Sequence, residues 1–232
     1  MSERVDDPGA DPVVLEASLA QVSAVNRFLG GDRGLRWALR PLIVGRDELR
    51  VLDVGSGDGT SLMRLASWAS GKGCTIRGLA LDLHGVACRL ARGNLPGRSG
   101  MHVVQGDALR LPFASRTFDV VIATLTLHHF ADEPALEVLR ELGRVARERV
   151  VVSDLQRSWG AYLGSRLLAA TVWRGNPYTR HDGPVSVGRG FTAGELLELG
   201  NRAGVLDMEL ETHLPFRHTL TAKTRDWAHE GG

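Results

Sequence analysis

The sequence of 232 residues predicts an α/β fold with a doubly wound, mostly parallel sheet. From Arg50 onward, short apolar runs alternate with stretches of helical periodicity, which is typical of parallel strands joined by crossover helices. The first of these runs leads into three closely spaced glycines, as strands do at the ligand-binding edge of such sheets. Hydrophobic content of 43%, charged content of 24% and a net charge of +1 exclude disordered, collagen-like and coiled-coil proteins.

The N-terminal part of the chain is predicted to form a tail and a helical cap. Residues 1–12 carry Pro, Gly and Asp without apolar periodicity, which predicts a disordered tail before a single domain over residues 13–232. Apolar residues recur at helical spacing from Val14 to Leu29, where Gly30 and Gly31 interrupt them. A second short helix follows, so residues 13–45 are predicted to be N-terminal cap helices.

The remaining elements follow in alternating order. The predicted parallel strands are Val51–Val54, Thr75–Leu81, His102–Gln105, Asp119–Ala123 and Val150–Ser153. The predicted crossover helices, which should be right-handed, are Thr60–Ala69, Gly85–Leu95 and Glu133–Ala146. A capping box at Thr192 and Glu195 predicts a helix ending near Ala203, and Asp207–Thr212 with Thr219–Ala222 predict a closing antiparallel pair.

An insertion separates the fifth strand from the last helix. Residues 155–190 contain an amphipathic segment that includes Trp159, Leu163 and Leu167, followed by a polar loop. We expect the apolar face of that segment to pack on the domain, so that the insertion forms a lid.

The glycine-rich turn carries the strongest chemical signal. The strand Val51–Val54 leads into Gly55-Ser56-Gly57-Asp58-Gly59-Thr60. The dinucleotide fingerprint would need its third glycine at position 60, so the spacing disfavours NAD and an NAD-dependent oxidoreductase. A nucleoside triphosphate is disfavoured as well, because Asp53 and Asp58 would repel phosphate and no P-loop lysine follows Gly59.

This segment resembles motif I of the class I S-adenosylmethionine-dependent methyltransferases, in the small-molecule branch related to quinone-biosynthesis and natural-product O-methyltransferases. Gly106-Asp107-Ala108 resembles the family's adenine-binding segment, and Leu127-His128-His129-Phe130 resembles the exit of its fourth strand. The resemblance implies a Rossmann-like, seven-stranded sheet with an antiparallel closing strand, an N-terminal helical cap and a lid insertion. It also implies S-adenosylmethionine as cofactor, with S-adenosylhomocysteine as product.

The same resemblance implies a set of cofactor-binding residues. Asp53 would hold the methionyl ammonium, and Asp82 would accept hydrogen bonds from both ribose hydroxyls. The full set is Asp53, Gly55, Ser56, Gly57, Gly59, Asp82, Leu83, Gly106, Asp107, Ala108 and Thr124.

The candidate catalytic residues are two histidines and an aspartate at the ends of neighbouring strands. His128 and His129 leave the fourth strand and Asp154 leaves the fifth, and adjacent strands lie about 4.8 Å apart. Related O-methyltransferases place a histidine base and an orienting aspartate in matching positions. One of the two histidines could instead pack against the cofactor or cap the next helix. His181, in the insertion, is a further candidate base, and no metal site is predicted.

The function predicted is methyl transfer to a small molecule, with a phenolic or enolic oxygen of an aromatic or polyketide-like metabolite as acceptor. The alternatives are C-methylation of a quinol-type substrate and binding of S-adenosylmethionine without transfer, as in a cyclase that uses the bound cofactor. The near-neutral net charge gives no support to a nucleic-acid partner. The acidic N-terminus, the absence of a membrane-length apolar run and the presence of only two cysteines predict a cytoplasmic location without membrane insertion. We expect a monomer or homodimer.

Overall fold

The structure, a computed structural model, describes residues 3–6, 9–28, 30–95 and 100–224. Seven strands form one sheet in the order β3-β2-β1-β4-β5-β7-β6. Only β7 runs antiparallel to its neighbours, β5 and β6, so the predicted fold class is confirmed. The strands are β1 (Glu48–Val54), β2 (Thr75–Asp82), β3 (Met101–Gln105), β4 (Phe118–Thr124), β5 (Ala146–Leu155), β6 (Leu206–His213) and β7 (Arg217–Lys223).

Helices cover both faces of the sheet, and the predicted crossover helices are present. The last helix begins at the predicted capping box, where the Thr192 hydroxyl accepts from the Glu195 amide at 3.3 Å and the Glu195 carboxylate accepts from the Thr192 amide at 2.8 Å. Leu29, the predicted last position of the first helix, lies outside the described residues. The helices are α1 (Pro12–Phe28), α2 (Asp32–Ile43), α3 (Thr60–Ser70), α4 (Gly85–Asn94), α5 (Asp132–Val145), α6 (Trp159–Ala170), α7 (Pro177–Arg189) and α8 (Ala193–Ala203).

The core has two halves because successive side chains of a strand point to opposite faces of the sheet. Leu52 and Val54 of β1 pack with α5 and α8 on one face. Val51 packs on the other face with α2 and α3. All of these side chains are fully buried, so the strands are held rigidly and their carboxyl ends are fixed at one edge.

The prediction of a disordered tail is wrong for residues 3–6. Arg4–Asp6 form a short 3-10 helix, and Glu3 is buried. The amides of Arg4 and Val5 donate to the Asp182 carboxylate at 2.9 and 3.1 Å. Apolar periodicity could not reveal this segment, because its position depends on polar contacts with a helix about 180 residues away in sequence.

The predicted polar loop of the insertion is also wrong, because this stretch forms α7. The Asn176 side chain accepts from the amides of Tyr178 and Thr179, and Pro177 occupies the first helical position. Asn and Pro therefore start a helix here instead of making a turn. Polar side chains and two glycines within α7 hide the apolar periodicity that would have indicated it.

The apolar side of α6 is not packed as predicted. Trp159, Leu163 and Leu167 are all more than 60% exposed, and the helix instead buries the small residues Ala161 and Ser165. Because α6 contacts the domain through small side chains, it lies close to the domain, and its large apolar side chains face away from it. Among the described residues, no helix is long and apolar enough to span a membrane.

Candidate active site

A cavity of about 650 Å³ lies at the carboxyl edge of the sheet. Its floor is formed by the ends of β1, β2, β4 and β5, and α1 and α7 cover it. Ligands of open α/β sheets bind at this edge, where neighbouring crossovers leave the sheet in opposite directions. The predicted site residues that line the cavity are Gly55, Ser56, Gly57, Asp82, Leu83, Gly106, Asp107, Ala108, Thr124, His128 and His129.

The glycine turn after β1 is held to the end of β2 by Asp82. Gly57 has a φ of 56°, and its amide donates to one Asp82 oxygen at 2.8 Å. The other Asp82 oxygen accepts from the amide of His84 at 2.9 Å. Burial raises the pKa of Asp82, although the two amides oppose this shift. At Gly55, a Cβ atom would lie 2.4 Å from the Thr126 hydroxyl, so the close approach of β4 requires glycine.

A group of buried oxygen atoms without partners lies beneath this turn. Asp53 is 1% exposed, and neither of its carboxyl oxygens has a hydrogen-bond partner among the described residues. The hydroxyls of Ser56 and Thr124 are buried and unpaired in the same way. Burial, together with the nearby carboxylates of Asp82 and Asp58, raises the pKa of Asp53 to about 8. Unpaired buried acceptors are costly unless a ligand satisfies them, and these suit the ammonium and hydroxyl groups of S-adenosylmethionine.

The raised pKa of Asp53 predicts a proton-linked binding step. At pH 7 this carboxyl is largely protonated in the free protein, and a cation bound beside it would favour the ionised form. Binding of S-adenosylhomocysteine at pH 7 should therefore release up to about one proton, and affinity should rise from pH 6 to about pH 8. Calorimetry in two buffers of different ionisation enthalpy measures this release, and the Asp53→Asn variant should abolish it. Equal proton release from the variant would contradict the prediction.

His128 and Asp154 form a buried pair at the ends of β4 and β5. The Nδ1 atom of His128 lies 2.6 Å from one Asp154 oxygen, and the His128 amide donates to the other oxygen at 3.2 Å. The Leu155 amide also donates to Asp154, at 2.7 Å. Burial would raise the pKa of Asp154, but His128, Leu155 and the nearby Arg217 guanidinium together lower it. The ionised carboxylate can only accept, so Nδ1 carries a proton and the Nε2 atom of the neutral ring is left as an acceptor.

Glu3 brings a second carboxylate to the histidines. Its oxygens lie 3.8 Å from Nε2 of His128 and 3.6 Å from Nδ1 of His129. Arg189 of α7 contacts the same carboxylate at 3.9 Å, and its guanidinium also donates to the carbonyl of His129. Although Glu3 and the two histidines place possible ligand atoms within 4.8 Å of one another, Arg189 already provides a cation for the carboxylate. We therefore interpret the Glu3–Arg189 contact as an ion pair that closes the cavity over the two histidines.

Polar contacts between the N-terminal segment and α7 form a roof, defined as residues 3–6, α1 and α7. Besides the Arg4 and Val5 amides, the Asp182 carboxylate contacts Nδ1 of His181 at 2.7 Å. The hydroxyls of Ser18 and Thr179 join α1 to α7 at 2.8 Å. These contacts connect segments far apart in sequence, and none of them involves a strand of the sheet.

Replacement of Asp182 should open the roof. The Asp182→Ala variant removes the acceptor for two backbone amides, so residues 3–6 should leave α7 while the sheet stays folded. We expect amide exchange of Arg4 and Val5 to become at least tenfold faster, and cleavage after Arg4 by trypsin to follow. Hydrogen exchange and limited proteolysis measure this. The matched variant His181→Ala keeps the carboxylate and should leave both unchanged, and equal protection in the two variants would contradict the assignment.

Four predicted site residues do not line the cavity. Asp53 and Asp154 are buried behind the cavity lining. Asp154 contacts the lining residue His128, and Asp53 lies near the lining residues Asp82 and Asp58. Gly59 has a φ of 74°, and a Cβ atom there would lie 3.1 Å from Cβ of Ala91, so its role is to allow α3 and α4 to pack. His181 faces Asp182 beside the N-terminal segment and lies outside the lining, so the structure does not bring it to the other histidines.

Three charged or polar residues of the site were not found from the sequence. Glu3, Arg189 and Arg217 line the cavity or contact its lining residues, yet each belongs to a stretch without a recognisable motif. A lone arginine or glutamate gives no signal when the fold alone brings it to the site.

Comparison with known proteins also finds a methyltransferase domain in this chain. Residues 51–149 match the model of a methyltransferase domain. The chain is similar to a demethylmenaquinone methyltransferase of Roseiflexus castenholzii, with 36% identity over 130 residues, which are 55% of this chain and 51% of the relative. It is also similar to a malonyl-[acyl-carrier protein] O-methyltransferase of Methylococcus capsulatus, with 30% identity over 152 residues, which are 62% of this chain and 52% of the relative. The chain thus spans about half the length of these curated relatives.

The fold comparison agrees with the sequence match. The crystal structure of human N-acetylserotonin methyltransferase in complex with S-adenosylmethionine superposes with a TM-score of 0.63 at 15% identity, covering 89% of this chain and 55% of that chain. An identity this low supports the fold alone, whereas the domain match covers the glycine turn, Asp82 and the histidine pair. Residues 51–149 thus form a methyltransferase domain, the fold is that of S-adenosylmethionine-dependent methyltransferases, and the chain is similar in sequence to demethylmenaquinone methyltransferases.

Proposed function

We propose that this protein transfers the methyl group of S-adenosylmethionine to a phenolic or enolic oxygen of a small aromatic or polyketide-like acceptor. The observation that carries the proposal is the buried His128–Asp154 pair at the wall of the cavity, because it leaves the Nε2 atom of His128 as a proton acceptor. The cofactor supplies a methyl group on a positively charged sulfur, which an oxygen or carbon nucleophile can displace in line. The protein must then hold the acceptor and remove its proton.

The residues of the chain divide these tasks. The glycine turn, Asp53 and Asp82 would hold the cofactor. His128 would accept the hydroxyl proton of the acceptor at Nε2, while Asp154 stabilises the resulting imidazolium through Nδ1. Because Asp154 is fully buried and receives two further amide bonds, the ring is fixed in one orientation. His129 packs against His128 with ring centroids 4.4 Å apart and would position it.

Methylation at carbon is the second candidate, favoured by the similarity to demethylmenaquinone methyltransferases. A quinol loses a proton from oxygen before a ring carbon attacks, so the same base would serve. The two outcomes differ in which atom of the acceptor anion faces the methyl group, and C-methylation also requires loss of the proton on the methylated ring carbon, which restores the aromatic ring. Binding of the cofactor without transfer remains the third candidate.

The test is an assay with a labelled methyl group. The protein is incubated with S-adenosylmethionine carrying a ¹³C methyl group and with a panel of phenols, enols and quinols. The ¹³C chemical shift of the product separates an O-methyl from a C-methyl group. An O-methyl product supports the proposal and a C-methyl product supports the second candidate. Cofactor binding with no transfer across the panel would overturn both.

A further inference from the structure

We propose that the acceptor carries a carboxylate, which binds to Arg217 at the end of the cavity distant from the adenosine-binding residues. The inference rests on the proposed function and deepens it by naming a chemical class of substrate. It also assigns a specificity-determining role to a residue outside the recognised motifs.

Arg217 is a buried cation with an unused donor. The residue begins β7, is 6% exposed and lines the cavity. Its Nη2 atom donates to the side chain of Asn26 in α1 at 2.7 Å. Its Nη1 atom is buried and has no hydrogen-bond partner among the described residues. Burial lowers the pKa of Arg217 to about 10, so the guanidinium is still charged at neutral pH. A buried charged group without a full set of partners is costly, which indicates a missing ligand.

The acidic residues near Arg217 do not provide that partner. Asp154 and Asp32 are the two carboxylates that influence it most. Asp154 already accepts three hydrogen bonds, from His128 and Leu155. Asp32 is held by Arg64, which donates to both of its oxygens at 2.7 and 2.9 Å. Within the described part of the chain, neither forms an ion pair with Arg217, so the guanidinium is not simply a structural counter-charge.

The position of Arg217 in the sheet places it at the acceptor end. The residues implied in adenosine binding follow β2 and β3, which lie on one side of β1. Arg217 lies on the other side, on β7, two strands beyond β4. Since neighbouring strands are about 4.8 Å apart, Arg217 is roughly 10 Å along the sheet edge from the end of β4, where the histidines begin. That span fits an acceptor whose acidic group is separated from the reacting oxygen by an aromatic ring system.

The cavity wall around this position suits a flat apolar molecule with an oxygen-rich end. Leu155 and Phe216, which flank Arg217 in the sheet and the preceding turn, line the cavity as well. The indole Nε1 of Trp173, another lining residue, is buried and unpaired among the described residues. Arg217 and Trp173 thus leave two unused donors in the cavity lining, which favour a ligand that brings acceptor oxygens. Of such groups, a carboxylate matches a guanidinium best, because both are planar and oppositely charged.

The test compares two probes that differ in the carboxylate alone, a hydroxynaphthoate and the corresponding naphthol. Binding to protein saturated with S-adenosylhomocysteine is measured by calorimetry, so no turnover is needed. We expect the wild type to bind the hydroxynaphthoate about 10-fold to 100-fold more tightly, as for a charge-assisted hydrogen-bonded pair. Arg217→Met should remove this preference and leave naphthol affinity within about twofold, and Arg217→Lys should restore part of it.

The controls are chosen so that each outcome decides the matter. Affinity for S-adenosylhomocysteine and the unfolding midpoint report whether Arg217→Met is folded. If Arg217→Met does not fold, two other measurements still test the inference. The wild type and the Asn26→Ala variant, which keeps the guanidinium, should both bind the hydroxynaphthoate more tightly than the naphthol. Equal binding of the two probes by the wild type, or a preference that survives in Arg217→Met, would overturn the inference. If the preference holds but no methyl group is transferred, the anion site stands and the proposed function fails.

Discussion

The His128→Ala variant should turn over about 10²-fold to 10⁴-fold more slowly than the wild type, with cofactor affinity nearly unchanged. The size of the effect is that of a positioned general base, which this variant lacks. His128 is the residue chosen because its Nδ1 is held by Asp154 at 2.6 Å while its Nε2 is an acceptor at the cavity. The measurement is kcat with a saturating phenolic acceptor, beside calorimetric titration with S-adenosylhomocysteine.

Two further variants separate a base from a packing residue. His129→Ala removes a ring that stacks on His128 but makes no bond to Asp154, so we expect less than a tenfold loss. Asp154→Asn keeps the shape of the pair but allows the other tautomer of His128, so turnover should fall nearly as far as in His128→Ala. If His128→Ala turns over normally while His129→Ala does not, the roles of the two histidines are exchanged. Normal turnover in both would remove the base from the mechanism.

The Asp82→Ala variant should bind S-adenosylhomocysteine about 5-fold to 150-fold more weakly, a loss of about 1–3 kcal/mol. Two effects combine. The variant loses the carboxylate that would accept from the ribose hydroxyls, and it frees the amide of Gly57, which Asp82 holds at 2.8 Å. The glycine turn then loses its fixed conformation. Calorimetry measures the affinity, and the unfolding midpoint should move little.

Asp107→Ala is the matched control for this prediction. Asp107 also lines the cavity and belongs to the implied cofactor set, but its side chain is exposed at the rim. Hydrogen bonds made by exposed groups compete with water, so we expect a smaller loss than for Asp82. An Asp82→Ala variant with wild-type affinity would show that this carboxylate does not contact the cofactor.

Most of the fold could be predicted because its elements depend on local patterns. The central parallel strands β1 and β4 are largely buried on both faces and stand out as short apolar runs, and the last helix is marked by its capping box. The roof could not be predicted in the same way. Residues 3–6 and α7 contain few apolar residues, and they are joined by polar contacts distant in sequence, among them those of the Asp182 carboxylate with the amides of Arg4 and Val5.

The candidate site also contains some residues that the sequence predicts and others that it does not. The glycine turn, Asp82 and the histidine pair carry their signal in short motifs at strand ends, and the structure places them around one cavity. Arg217 follows a turn at the start of the antiparallel strand β7, and Glu3 precedes the first helix. Neither position has a local pattern, because tertiary packing alone decides that a single charged side chain is buried beside the cavity.

The docked N-terminal segment has a consequence for kinetics. While Glu3 contacts the histidines and Asp182 holds the amides of Arg4 and Val5, the N-terminal segment stays docked over the cavity. If opening is slower than the chemical step, product departure sets the steady-state rate. A trideuterated methyl donor would then show its isotope effect in a single rapid-quench turnover and lose it in multiple turnovers, and a more viscous solvent would slow the latter only.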